Sequence, residues 1–199
     1  MRISSLWLCA AAPILHLGIP ATARASFHLW RIVEVYSNAS GTVQFIEMQT
    51  DTGGQTLMKS ANADFATNGH TYFFDHDLVG DTTNKKMLLA TPGYDALAGV
   101  PAADYHLGVN NFFNPAGDTL NFDGFNTLTF SAGQLPTNGT QALYRAFNPP
   151  TQSTFTIGTN QATNFAGTTG TVVVPEPAMA GFLGFALLMR RRRSESLKH

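Results

Sequence analysis

The chain has 199 residues, 44% of them apolar and only 13% charged, with 12 basic and 13 acidic side chains for a net charge of −1. Most of the positive charge lies near the two ends: residues 26–174 carry five basic residues (Arg31, Lys59, Lys85, Lys86, Arg145) against eleven acidic ones, a net of −6. An acidic body excludes the basic footprint that nucleic-acid binding needs, and a single cysteine, Cys9, excludes an internal disulfide framework.

At the start of the chain, Arg2 supplies a short positive region, residues 6–17 are largely apolar, and Ala23-Arg24-Ala25 places small residues where a signal peptidase reads them. Residues 1–25 are therefore expected to be a signal peptide, with Ser26 as the first residue after cleavage. Cys9 follows Leu8 and lies inside the apolar region, which argues against a lipoprotein site. The exported chain then lacks cysteine and depends on an ordinary apolar core.

Residues 26–147 are expected to fold as one all-β domain, an antiparallel sandwich. Residues 27–36 (FHLWRIVEVY) and 42–48 (TVQFIEM) are rich in β-branched and aromatic side chains and flank a turn composition, Ser37-Asn38-Ala39-Ser40-Gly41. A hairpin symmetric about that loop pairs Val35 with Val43, Val33 with Phe45 and Arg31 with Glu47, and places Glu34 opposite Gln44 on the other face. In that register Glu34 and Glu47 cannot share a site, and Arg31 and Glu47 form a cross-strand ion pair. Further strands are expected over 56–59, 71–74, 86–90, 119–122, 127–130 and 141–145, separated by Gly, Pro and Asn turns. No segment before the C-terminal tail holds a helical period.

Candidate chemistry within this domain is sparse. Asp75, His76, Asp77 and Asp81 follow the aromatic run Tyr72-Phe73-Phe74, and three carboxylates with one imidazole could hold a calcium ion or, less well, zinc. The spacing lacks the glycine and terminal glutamate of an EF-hand loop. His70 and His106 are isolated. There is no G-x-S-x-G elbow, no cysteine nucleophile after residue 25 and no glycine-rich phosphate loop. Asn38-Ala39-Ser40 and Asn138-Gly139-Thr140 read as turn residues rather than as glycosylation acceptors.

Residues 148–171 contain no charged side chain and are rich in Thr, Asn, Gln and Gly. Residues 148–174 accordingly read as a polar spacer, with a last strand over 153–157 as the competing reading. The chain then changes character: Val174-Pro175-Glu176-Pro177, an uncharged apolar run over 178–189, and Arg190, Arg191, Arg192 and Arg193. The prolines hold Glu176 in an extended strip, and a helix can begin at Pro177 or just after it. Twelve apolar residues span ~18 Å of a ~30 Å hydrocarbon core, suited to a transient or tilted insertion stopped by the arginines, with 194–199 as a cytoplasmic tail.

The order of motif, apolar helix and arginine stop over 175–193 resembles the PEP-CTERM sorting signal of exopolysaccharide-producing Gram-negative bacteria. That resemblance implies an exosortase-type membrane protease or transpeptidase as partner, a transient stay in the inner membrane, and delivery to the outer surface or extracellular matrix. Ile32-Val33-Glu34-Val35-Tyr36-Ser37-Asn38, Phe45-Ile46-Glu47-Met48, Leu88-Leu89-Ala90-Thr91 and Gly117-Asp118-Thr119-Leu120 resemble the lamin-tail type of immunoglobulin-like sandwich. This second resemblance implies a structural or interaction module. The expected protein is a secreted, non-enzymatic envelope or matrix component associating with exopolysaccharide or other proteins, without an obligate cofactor. The alternative is a metal-dependent extracytoplasmic hydrolase built on Asp75, His76, Asp77 and Asp81.

Overall fold

The computed structural model describes residues 26–147 and 154–174. In chain order the elements are β1 (Arg31–Ser37), β2 (Gln44–Thr50), β3 (Asp64–Ala66), β4 (Thr71–Phe73), β5 (Lys85–Ala90), α1 (Pro92–Asp95), β6 (Tyr105–His106), β7 (Asp118–Phe122), β8 (Asn126–Phe130), β9 (Gln141–Arg145), β10 (Phe155–Thr159), β11 (Ala162–Thr163) and β12 (Thr169–Gly170). A six-stranded sheet runs β10-β9-β1-β2-β5-β6 and a four-stranded sheet runs β4-β3-β7-β8. Every pairing is antiparallel except the short parallel contact of β5 with β6. The all-β expectation agrees with this arrangement.

The two sheets enclose one apolar core. Ile32, Val35, Ile46, Met48, Met87, Leu89 and Leu143 come from the larger sheet, and Phe65, Leu120, Phe122, Leu128 and Phe130 from the smaller. Phe74 bridges them edge-on, 4.7 Å from Tyr105 and 5.9 Å from Phe122. Burial of side chains of this size stabilises by ~1.5–3 kcal/mol each, so the core suffices without a cysteine.

The larger sheet is apolar on its outer face as well. Tyr36, Phe45, Leu88, Ala90 and Ala142 form a second cluster, covered by Tyr94 of α1 and by Ala162 and Val172 from the C-terminal segment. Tyr36 stacks on Phe45 at 5.1 Å, and Phe45 meets Tyr94 edge-on at 5.7 Å. The expected spacer is therefore corrected over residues 154–174. β10 pairs with β9 along its whole length, and the chain then folds back over the sheet. Buried Asn160 fastens it by donating to the carbonyls of Thr140 and Val172 and accepting from Val172 N–H. A polar, uncharged composition describes a spacer and a covering segment equally well; the apolar outer face of the sheet selects the second.

The hairpin register also differs from expectation. The observed partners are Tyr36 with Phe45, Val35 with Ile46, and Glu34 with Glu47, then Ile32 with Met48 and Arg31 with Gln49 beyond a bulge. The loop is wider than its composition suggested, because Asn38 Oδ1 accepts from Val43 N–H and Asn38 N–H bonds Val43 O. The resulting shift is an odd number of residues, which exchanges the faces of one strand relative to the other. The bulge at Val33 then allows Ile32 and Val35, three apart, to point into the same core. Gly41 closes the loop at φ 70°, and a Cβ there would lie 2.0 Å from Asn111 Oδ1.

Residues 56–59 do not form the expected strand. Gln55 is held by Leu29 N–H, Trp30 Nε1–H and Thr82 Oγ1, and the chain coils through Met58–Ala63 backbone bonding before Asn62, at φ 55°, turns it into β3.

Candidate functional site

Two arrangements concentrate functional groups. The first is a cleft of about 380 Å³ between the β3–β4 turn and the loop that precedes β7. Thr67 Oγ1 accepts from Gly69 N–H and His70 N–H and donates to Phe112 O, which locks the turn against that loop. His70 stacks on Phe112 at 5.7 Å with its Nδ1 2.9 Å from Phe112 O. A carbonyl only accepts, so Nδ1 carries a proton and Nε2 is left to face outward.

The exposed Asn68 on the His70 turn, with Asn111 and Asn114 on the facing loop, adds three carboxamides to the lining. The one carboxylate of the lining, Asp118, accepts from Asn68 N–H and Thr119 N–H on Oδ1 and from Asn114 N–H on Oδ2. Its task is to shape the loops. A rim of amide donors and acceptors beside an imidazole, with its carboxylate engaged, suits a neutral hydroxylated ligand.

The second arrangement is the Glu34–Glu47 pair, which the symmetric register had placed on opposite faces. The two residues are Cα partners on β1 and β2, and each is 0% exposed. Glu34 Oε1 accepts from the Tyr144 hydroxyl at 2.9 Å and from Gln161 N–H at 2.8 Å. Lys86 Nζ lies 2.6 Å from Glu47 Oε1, while the Thr163 N–H and hydroxyl face the same carboxylate. Lys86 therefore takes the place expected for Arg31, which stands beside Gln49 instead. Glu34 Oε2 and Glu47 Oε2 have no hydrogen-bond partner among the described residues.

Burial pushes the Glu34 carboxyl up to about 7, reinforced by the charge of Glu47 and opposed by Gln161 N–H, Tyr144 and Lys86. Burial raises Glu47 as well, with Lys86 opposing. Such a pair is the right chemistry for glycoside cleavage. Covered by the C-terminal segment, it has no exposed surface to offer a substrate in this conformation.

The acidic loop does not converge. Asp75 is bonded to His76 Nδ1 at 2.7 Å and to the Tyr72 hydroxyl; Asp77 accepts from the N–H and hydroxyl of Ser60; Asp81 accepts from the N–H and hydroxyl of Thr83. Serine and threonine donors hold Asp77 and Asp81 below the usual carboxylate range. Among the described residues no three His, Cys, Asp or Glu side chains form a group that could hold a metal ion. The calcium or zinc set expected at Asp75, His76, Asp77 and Asp81 is thus distributed among separate local partners.

Both glycosylation-like triplets behave as turns. Asn38 is spent on Ser40, Thr42 and Val43, and Asn138 on Thr140 and Gln141. Of the sorting residues only Val174 lies within the described chain, where its N–H bonds Gly139 O at 3.1 Å. Pro175, Glu176, Pro177 and Arg190, Arg191, Arg192, Arg193 lie outside the described residues, as do Ala23 and Ala25, while Ser26 N–H bonds Gly54 O.

Sequence reasoning missed the cleft because its walls are some forty residues apart, the sole local signal being the Asn68-Gly69-His70 turn. It missed the carboxylate pair because composition does not specify loop width. The conflict of Ile32 and Val35, both needing the core from positions three apart, was the available hint of a bulge. Comparison with protein-family models, curated proteins and solved structures finds no match to this chain.

Proposed function

We propose that this chain is an exported envelope or extracellular-matrix protein, delivered through a C-terminal PEP-CTERM-like signal. In this reading the β domain is a lamin-tail-like, immunoglobulin-like module that associates with neutral exopolysaccharide or matrix protein and performs no catalysis. The observation that carries the proposal is the order Val174-Pro175-Glu176-Pro177, apolar run and four arginines, preceded by a body of net charge −6. The supporting geometry is the amide-lined cleft, whose chemistry fits sugar hydroxyls better than ions.

Intact mass of the protein recovered from the cell envelope and medium tests the sorting half. A mass ending near Pro177, alone or with an added group, is expected; one that retains Arg190 to His199 removes the processed-signal reading. For the ectodomain, binding of the native exopolysaccharide is expected to weaken at least tenfold in the double variant Asn68→Ala, His70→Ala. Equal binding by variant and wild type in a titration would remove the cleft from the proposal.

A further inference from the structure

The C-terminal segment 160–174 brings no ionisable group to the sheet it covers, yet it seals two carboxylates beneath it, while the Lys86 side chain that reaches Glu47 stays 32% exposed. Counting Glu34, Glu47 and Lys86 as ionised leaves one surplus negative charge without solvent. Directly opposed residues of an antiparallel pair have Cα atoms ~4.5–5.5 Å apart, so two glutamates of equal length can bring their carboxyl groups together. A single proton held on the pair removes the surplus charge, and the oxygens without a hydrogen-bond partner, Glu34 Oε2 and Glu47 Oε2, are the sites free to carry it. No third acidic or imidazole ligand joins the pair among the described residues, which favours a proton over a metal ion as the missing positive charge.

We propose that residues 160–174 form a strap held on the sheet by a proton shared between Glu34 and Glu47, and that loss of this proton loosens the strap. Gln161 N–H on Glu34 and Thr163 facing Glu47 are the strap's contacts with the pair. The remaining charged and titratable groups around it are Lys86 on β5, Tyr144 on β9, Tyr94 on α1, and Asp104 before β6, which accepts from Phe165 N–H of the strap and from Leu88 N–H. When the strap lifts, water reaches both carboxylates and the cost of ionising them in the dark of the sheet disappears. Opening is therefore favoured above neutrality and suppressed in acid.

The strap also controls reach. Val174 N–H is bonded to Gly139 O, which holds the last described residue of the strap on the folded unit. Release of fifteen residues at ~3.3 Å each adds roughly 50 Å of extended chain ahead of the motif, enough to enter a membrane-embedded protease. This consequence for sorting rests on the function proposed above; the strap itself does not.

Hydrogen exchange of the full-length protein, corrected for intrinsic rates, tests the inference. From pH 5.5 to pH 8 the opening equilibrium at the Gln161, Phe165 and Val172 amides is expected to rise roughly 30-fold. In Glu34→Gln, and separately in Glu47→Gln, the dependence should largely vanish while the strap stays protected at pH 8. Equal wild-type protection at both pH values overturns the proposal, as does a dependence that persists in both variants. An intact mass retaining the tail would remove only the sorting consequence, because the exchange measurement reads the strap alone.

Discussion

Lowering the pH from 8 to 5 is expected to stabilise the domain by ~2–3 kcal/mol, the reverse of the loss that ion-paired carboxylates usually cause on acidification. Glu34 moves from its ordinary 4.5 to about 7 in the folded state, chiefly by burial. A carboxyl with a raised folded value binds its proton more tightly when folded. Its contribution is complete below 4.5 and is lost as pH rises through about 7. The shift corresponds to roughly 3 kcal/mol. Glu47 and Asp104, both raised by burial, act in the same direction. Asp75, Asp77 and Asp81 are lowered and act oppositely below pH 4, but they are largely exposed and contribute little.

Glu34→Gln separates this mechanism from generic charge repulsion. The amide oxygen still accepts from Tyr144 and Gln161, while the group no longer ionises. The variant should exceed wild type by ~2 kcal/mol at pH 8 and match it at pH 5. Urea denaturation at the two pH values measures both quantities, and a variant less stable than wild type at pH 8 would contradict the buried-charge argument.

Arg145→Ala should cost ~3–5 kcal/mol, the largest effect expected of a single polar substitution here. Arg145 is 4% exposed. Its Nε donates to Ile32 O, its Nη1 to Thr127 O and its Nη2 to Asn126 Oδ1, while the same Asn126 oxygen accepts from Ile32 N–H. These bonds satisfy the Ile32 N–H and C=O beside the bulge and the Thr127 C=O, and they tie β1 to β8. Burial, with a smaller push from Arg31, pulls the guanidinium down to about 10, so it still carries its charge at neutrality. Truncation strands two carbonyls and leaves a cavity. Lysine should not rescue the variant, because one ammonium cannot replace a planar fork aimed at three oxygens. Loss under 1 kcal/mol in denaturant melts would show that β1 and β8 are held together by core packing alone.

Alternation and turn chemistry make much of the fold legible in the sequence. β9 coincides with the expected 141–145, and β4, β5, β7 and β8 differ from expectation by single residues at their ends. Those strands announce themselves by β-branched and aromatic residues between Gly, Pro and Asn turns, a local signal. β3 and β6 escaped because they are three and two residues long and owe their conformation to β7 and β5 beside them. The acidic loop looked like a ligand set only because nearness in sequence stood in for convergence. Ser60, Tyr72 and Thr83 intervene and take the carboxylates separately.

By itself the sequence determined the all-β class, the acidic body and the turn roles of Asn38 and Asn138, since composition and local order suffice for these. Only the tertiary structure decided which residues meet. A six-residue loop closed by the Asn38 side chain shifted the hairpin by an odd step and placed Glu34 beside Glu47, and a bulge beyond that pair brought Ile32 opposite Met48. The polar segment after β9 became a cover because an apolar sheet face needed one. Each outcome depends on partners remote in the chain, where free energy is set by burial and pairing that no local pattern records.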